Sequence, residues 1–171
     1  MKKIMFALCA LLLAGFLGSC AGSPADNGTL KAAVTIYPLY DFAQKIAGGK
    51  ADITLLVPAG TEPHDWEPTA ADMKTLEKSD LFIYNGAGME HWVTDALKSL
   101  GNKDLAAVEA SAGISLLEGG DAHEEEEEGH EEEEEEEGHD PHVWLAPQNA
   151  KKQLHTVCEA FVKADPANKD Y

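Results

Sequence analysis

Arginine is absent from this chain: all 13 of its basic residues are lysines, against 31 Asp and Glu, for a formal net charge of −18 across 171 residues. So little positive charge cannot form a basic patch that neutralises phosphates, which excludes a nucleic-acid binder. Cysteine is scarce too, at three residues. No apolar run is long enough to span a bilayer as a helix: Ile4 to Phe16 holds 13 residues, where about 20 are needed. What is present argues for a folded protein. Hydrophobic residues make up 44 %, enough for a core, so the chain is not disordered throughout. Its length suits about one domain. The charge is local: 14 acids lie between Asp121 and Asp140, and taking them from −18 leaves −4.

The first residues form an address. Met1-Lys2-Lys3 is a positive start and Ile4–Phe16 an apolar centre, the pattern of a secretory signal over residues 1–19. Leu17-Gly18-Ser19-Cys20 ends it and fits a bacterial lipobox, in which Cys20 receives lipid and becomes the mature N-terminus. The alternative, an ordinary signal with an incidental Cys, does not account for Leu, two small residues and Cys falling in register. Cys9 then leaves with the signal and only Cys158 remains, so the mature chain has no internal disulfide. Residues 20–29 are rich in Ala, Gly, Ser, Pro and Asn and read as a tether. The expected location is extracytoplasmic, with the molecule held to a membrane by its lipid anchor.

Beyond the tether, buried-type strands alternate with helices. Lys31–Tyr37, Asp52–Val57, Asp80–Tyr84 and Leu105–Val108 are short apolar runs that suit strands. Helices are expected over Leu39–Ala47, closed by Gly48-Gly49; from Thr69, as cap, to Ser79; over Glu90–Leu100; and over Asn149–Lys163. In the last, Ala150, Leu154, Val157, Cys158, Phe161 and Val162 form an apolar stripe that buries Cys158 and leaves His155 in solvent. This alternation implies right-handed βαβ crossovers, hence an α/β fold with a parallel sheet flanked by helices. Ligands of such sheets bind beyond the carboxyl ends of the strands. The loops there are Pro58–Pro68, Asn85–Met89 and the long segment after Val108.

Two of these loops carry histidines in rigid settings. His64 lies in Pro63-His64-Asp65-Trp66-Glu67-Pro68, and His142 in Asp140-Pro141-His142-Val143-Trp144. A neutral imidazole is a good ligand for Zn²⁺ and similar metals. The prolines restrict the backbone, and Trp66 and Trp144 can wall off water. Two loop histidines hydrogen-bonded for structure are the alternative. Glu62, Asp65 and Glu67 are candidates to orient His64, against the leading alternative that each is simply an exposed surface carboxylate. Gly86-x-Gly88 lacks the rest of a dinucleotide-binding pattern and reads as a turn, and His91 as a surface residue.

The strings PHDWEPT, AADMKTLEKSDLFIYNG, GMEHW and DPHVWLAP, in this order and with a His/Glu loop before the last, resemble the metal-binding solute-binding lipoproteins of zinc and manganese ABC importers (cluster A-I, zinc-uptake type). The resemblance runs from the lipobox to Tyr171. It implies two α/β lobes joined by a long backbone helix, with a metal between them and the histidines of the two Pro-His motifs, here His64 and His142, among its ligands. It also implies that Glu90 and Trp92 support packing near the site, and that the intact molecule is a monomer serving the transmembrane subunit of an ABC permease. The family pattern continues into a second lobe with a further His and an Asp or Glu. Residues 30–148 are therefore expected to be an N-terminal lobe of this periplasmic-binding-protein-like fold, and 149–171 a helix plus the start of the inter-lobe helix. On this reading the chain is a fragment that binds metal weakly.

The acidic insert, residues 119–139, is punctuated by His123, His130 and His139. No H-E-x-x-H occurs, which excludes a zinc-protease motif. Dense like charge keeps such a segment extended. It is either a solvated loop without a role or a weak, multivalent cation collector in which imidazoles add nitrogen ligands. In the resembling family such a loop marks zinc members more than manganese members, and nitrogen donors favour Zn²⁺ over Mn²⁺.

Transport is thus the leading function: capture of Zn²⁺ and delivery to a permease, without catalysis. A stand-alone zinc buffer or chaperone acting through the insert is the alternative, as is a manganese-specific binder. A zinc hydrolase would need a general base that no second motif provides.

Overall fold

A computed structural model of the chain describes residues 28–117 and 139–171. Four strands, β1 (Leu30–Val34), β2 (Ala51–Leu55), β3 (Leu81–Tyr84) and β4 (Ala106–Glu109), form one sheet in the order β2-β1-β3-β4. Every pairing is parallel, with Ala32 opposite both Ile53 and Leu81, and Ile83 opposite Val108. The α/β class and parallel sheet expected from the alternation are therefore present. The signal, the lipobox Cys20, most of the tether, His123, His130 and nearly all of the acidic insert lie outside the described residues.

Alternate side chains of each strand feed opposite faces. Ala32, Val34, Leu81 and Ile83 pack with Leu39, Ala43, Val157 and Phe161 from α1 (Tyr37–Ala47) and from a long last helix. Ala33 and Phe82 point the other way, onto Leu76 of α2 (Ala70–Glu77) and Trp92, Val93 and Ala96 at α3 (Val93–Ser99). Both faces of the central strands β1 and β3 are thus covered, which is why these two read as near-continuous apolar runs, while the edge strands β2 and β4 keep exposed positions.

Local chemistry sets the boundaries. Pro38 stands in the first turn of α1, and Gly48, at φ +52, closes it in the left-handed conformation. Thr69 and Asp72 exchange side-chain-to-backbone hydrogen bonds as a capping box at the start of α2. Two expectations need correction. The helix expected from Glu90 begins at Val93, because the Glu90 carboxylate is buried at the sheet edge. The last helix, α4, runs Pro147–Ala164, and its inward face is Gln153, Val157, Ala160 and Phe161. Leu154 and Val162, expected inside, are 42 % and 41 % exposed, and Cys158 is half-buried. A buried partner for the Gln153 amide turns the stripe by one residue. Beyond α4, Pro166–Asn168 forms a single 3-10 turn.

The order β2-β1-β3-β4 reverses direction between β1 and β3. The loops leaving those two strands diverge and open a crevice at their carboxyl ends.

Candidate metal centre

His64 comes from the loop after β2. Turns close at Thr61, whose N–H donates to Pro58 O at 3.1 Å, and at Trp66, whose N–H donates to Pro63 O at 3.4 Å. Two contacts hold this loop to the start of α3: Trp66 meets Trp92 edge to face with centroids 5.3 Å apart, and Glu67 Oε1 lies 2.8 Å from His91 Nε2.

His142 precedes a 3-10 turn over Val143–Leu145, anchored by buried Val143. Asp140 Oδ1 accepts from its backbone N–H at 2.9 Å and meets its ring Nδ1 at 2.8 Å. A carboxylate only accepts, so Nδ1 carries the proton and Nε2 keeps a free lone pair. These bonds from His142 hold the Asp140 carboxyl below the usual carboxylate range. Trp144 stands edge-on to the His142 ring, with centroids 5.4 Å apart.

The two histidines, far apart in sequence, meet with ring centroids 5.3 Å apart and planes at 63°. A zinc bonded at 2.0–2.1 Å to one nitrogen of each ring, at a tetrahedral angle, puts the centroids about 5.2 Å apart. The pair therefore has the separation that shared coordination of one ion requires. Among the described residues no group of three or more His, Cys, Asp or Glu able to hold a metal occurs; His64 and His142 are two imidazoles brought together there.

The candidate carboxylates for orienting His64 do otherwise. Glu62 Oε1 reaches only its backbone N–H, at 3.4 Å. Glu67 pairs with His91, which gives that surface residue a partner. Asp65 is exposed, as is His139, two residues before Pro141.

A buried polar cluster underlies the pair. Thr35, just past β1, donates to Glu90 Oε1 at 2.5 Å, and the N–H groups of Asn85 and Gly86 donate to the two Glu90 oxygens at 2.8 and 2.9 Å. Burial pushes the Glu90 carboxyl above its ordinary value despite these donors, and nearby Glu109 adds to the rise. Asn85 Nδ2 donates to Gly86 O at 3.0 Å and to Pro141 O at 2.9 Å, while its Oδ1 accepts from Gln153 Nε2 at 2.9 Å. The intervening turn runs through three successive residues at positive φ: Gly86 at 76°, Ala87 at 53° and Gly88 at 82°. Asp140, Asn85, Thr35 and Gln153 were not singled out by sequence reasoning. Only Asp140 had a visible signal there, since Asp two residues before a backbone N–H is a common local bond.

Residues 33–171 match the family described as zinc-uptake complex component A, periplasmic (ZnuA). The chain belongs to that family. Among ZnuA-family relatives, the high-affinity zinc uptake system protein ZnuA of Bacillus subtilis (strain 168) is 46 % identical over 171 residues, covering 98 % of this chain and 53 % of the relative. The zinc-binding lipoprotein AdcA of Streptococcus pneumoniae is 38 % identical, covering 99 % of this chain and 34 % of AdcA. The chain thus spans about half or less of the length of these relatives. In three dimensions it resembles the metal-dependent lipoprotein YcdH of B. subtilis, with TM-score 0.69, 40 % identity, and 83 % of this chain against 47 % of that one. It also resembles the Zn(II)-bound ZnuA-like domain of S. pneumoniae AdcA, with TM-score 0.68 and 33 % identity, covering 84 % of this chain and 47 % of that one. A manganese-bound periplasmic protein of Candidatus Liberibacter asiaticus shares the fold, at TM-score 0.68 and 23 % identity.

Proposed function

We propose that this chain supplies one side of a zinc site in an extracytoplasmic binding protein, which captures Zn²⁺ and delivers it to the transmembrane subunit of an ABC permease. The observation that carries the reading is the His64–His142 pair, with centroids 5.3 Å apart at the carboxyl edge of the sheet. Zinc is the cargo, so capture needs ligands but no general base, and no catalysis is assigned. Two imidazole nitrogens favour Zn²⁺ over Mn²⁺, and the family's description and the relatives' names agree with zinc.

Zinc normally takes four ligands. The remaining donors are proposed to come from a second lobe, as the relatives' greater length suggests, and residues 30–148 to form the N-terminal lobe. Cys20 is proposed as the lipidation site that ties a monomer to the membrane; no helix among the described residues is long and apolar enough to cross one. The insert is proposed to gather zinc through His123, His130 and His139. Its return point favours transfer: Asp140 N–H donates to Leu117 O at 3.0 Å, which closes the loop's ends two residues from His142.

Calorimetric titration of the chain lacking residues 120–138 tests the ligand reading. One weak zinc site that His64→Ala or His142→Ala abolishes is the expected result. A sub-micromolar site, or binding indifferent to both substitutions, refutes it.

A further inference from the structure

We infer that Asn85 is a positioning residue for the metal site, and that Gln153 on α4 completes the bonding that holds its amide in place. The inference rests on the reading of His142 as a ligand. The carbonyls of Gly86 and Pro141 can only accept, so the NH₂ of Asn85 must face both, at 3.0 and 2.9 Å. Its Oδ1 is then turned to Gln153 Nε2, at 2.9 Å. Both side chains are fully buried.

Pro141 has no N–H, so its carbonyl is the only backbone group by which the residue before His142 can be held. Asn85 holds it, and Asn85 is itself pinned through its N–H to Glu90 at the mouth of the crevice. Asp140 fixes how the His142 ring is rotated; Asn85 fixes where the backbone carrying that ring sits.

The role of Gln153 differs from plain stabilisation. Its Oε1 is buried and has no hydrogen-bond partner among the described residues. An apolar side chain of similar size would avoid that cost. What an apolar side chain cannot do is donate to Asn85. Without that donor Asn85 Oδ1 is left buried and unpaired, and of the three bonds that oppose a flip of the amide only those to Gly86 O and Pro141 O remain.

The test is a Zn²⁺ titration of the full chain, followed through the imidazole ¹⁵N signals of His64 and His142, which separates this pair from the insert. Unfolding midpoints are measured alongside. Gln153→Leu is expected to keep its fold and raise the zinc concentration for half-response at His142 by about tenfold, the usual effect of losing a group that orients a ligand. Asn85→Asp, equal in size but with an oxygen toward Pro141 O, is expected to weaken binding further. The double variant Asn85→Ala/Gln153→Leu should be no weaker than Asn85→Ala, because Gln153 acts through Asn85. Unchanged zinc response in Gln153→Leu, or losses that multiply in the double variant, overturns the inference. Should Asn85→Ala not fold, Gln153→Leu alone decides. His142→Ala separates the two levels. If it leaves the response at His64 unchanged, the ligand reading falls and takes this inference with it. If it abolishes that response while Gln153→Leu does not alter it, only the role of Asn85 falls.

Discussion

At the residue scale, one carboxylate holds a ring and another holds a turn. Asp140 accepts twice from His142, so Asp140→Ala should free the ring and its tautomer. Zinc affinity of the insert-deleted chain is expected to fall about 10–100-fold, read by competition with a chromophoric chelator; equal affinity would mean that the pairing is incidental. Glu90 makes a prediction about pH. Its carboxyl is raised above the ordinary 4.5, mainly by burial, so over the interval above that value the folded chain holds a proton that the unfolded chain has released. Its contribution to stability is full below the unfolded value and is lost as pH rises through the folded one. Glu90→Gln removes this dependence. The unfolding free energy of the native sequence minus that of the variant should fall from mildly acidic to neutral pH in denaturant titrations. A rise would reverse the sign assigned here.

At the element scale, short helices lean on their ends and on single buried side chains. Thr69→Ala, which removes the capping box of the eight-residue α2, should cost about 1 kcal/mol in chemical denaturation. Leu76, the buried residue of that helix, should cost about 2–5 kcal/mol on truncation to Ala. These elements were legible in the sequence because apolar runs, prolines, Gly48 and the Thr69–Asp72 pair all act locally. The places where reading failed are those where a distant partner decides. Glu90 has the look of a first-turn acid, yet it is consumed by Thr35, Asn85 and Gly86. Gln153 beside Leu154 belongs outside by polarity alone, but Asn85 receives it inside. His64 and His142 were recognisable as candidates from their proline-flanked settings. Their nearness was not, since it follows from two loops converging across the switch between β1 and β3.

At the scale of the whole molecule, the residues flanking the acidic insert come together at one place. They meet through Asp140 and Leu117, so replacing residues 120–138 by a short Gly/Ser link should leave the circular dichroism spectrum unchanged and the melting temperature within a few degrees. Weak multiple zinc binding should vanish with it; persistence of that binding would place the collector elsewhere. The parallel sheet has one more consequence. The chain comes into β1 at Leu30, and His64 and His142 stand beyond the opposite ends of the strands. A group attached at Gly28 or Thr29 is therefore expected to sit at the far end of the strands from the histidine pair.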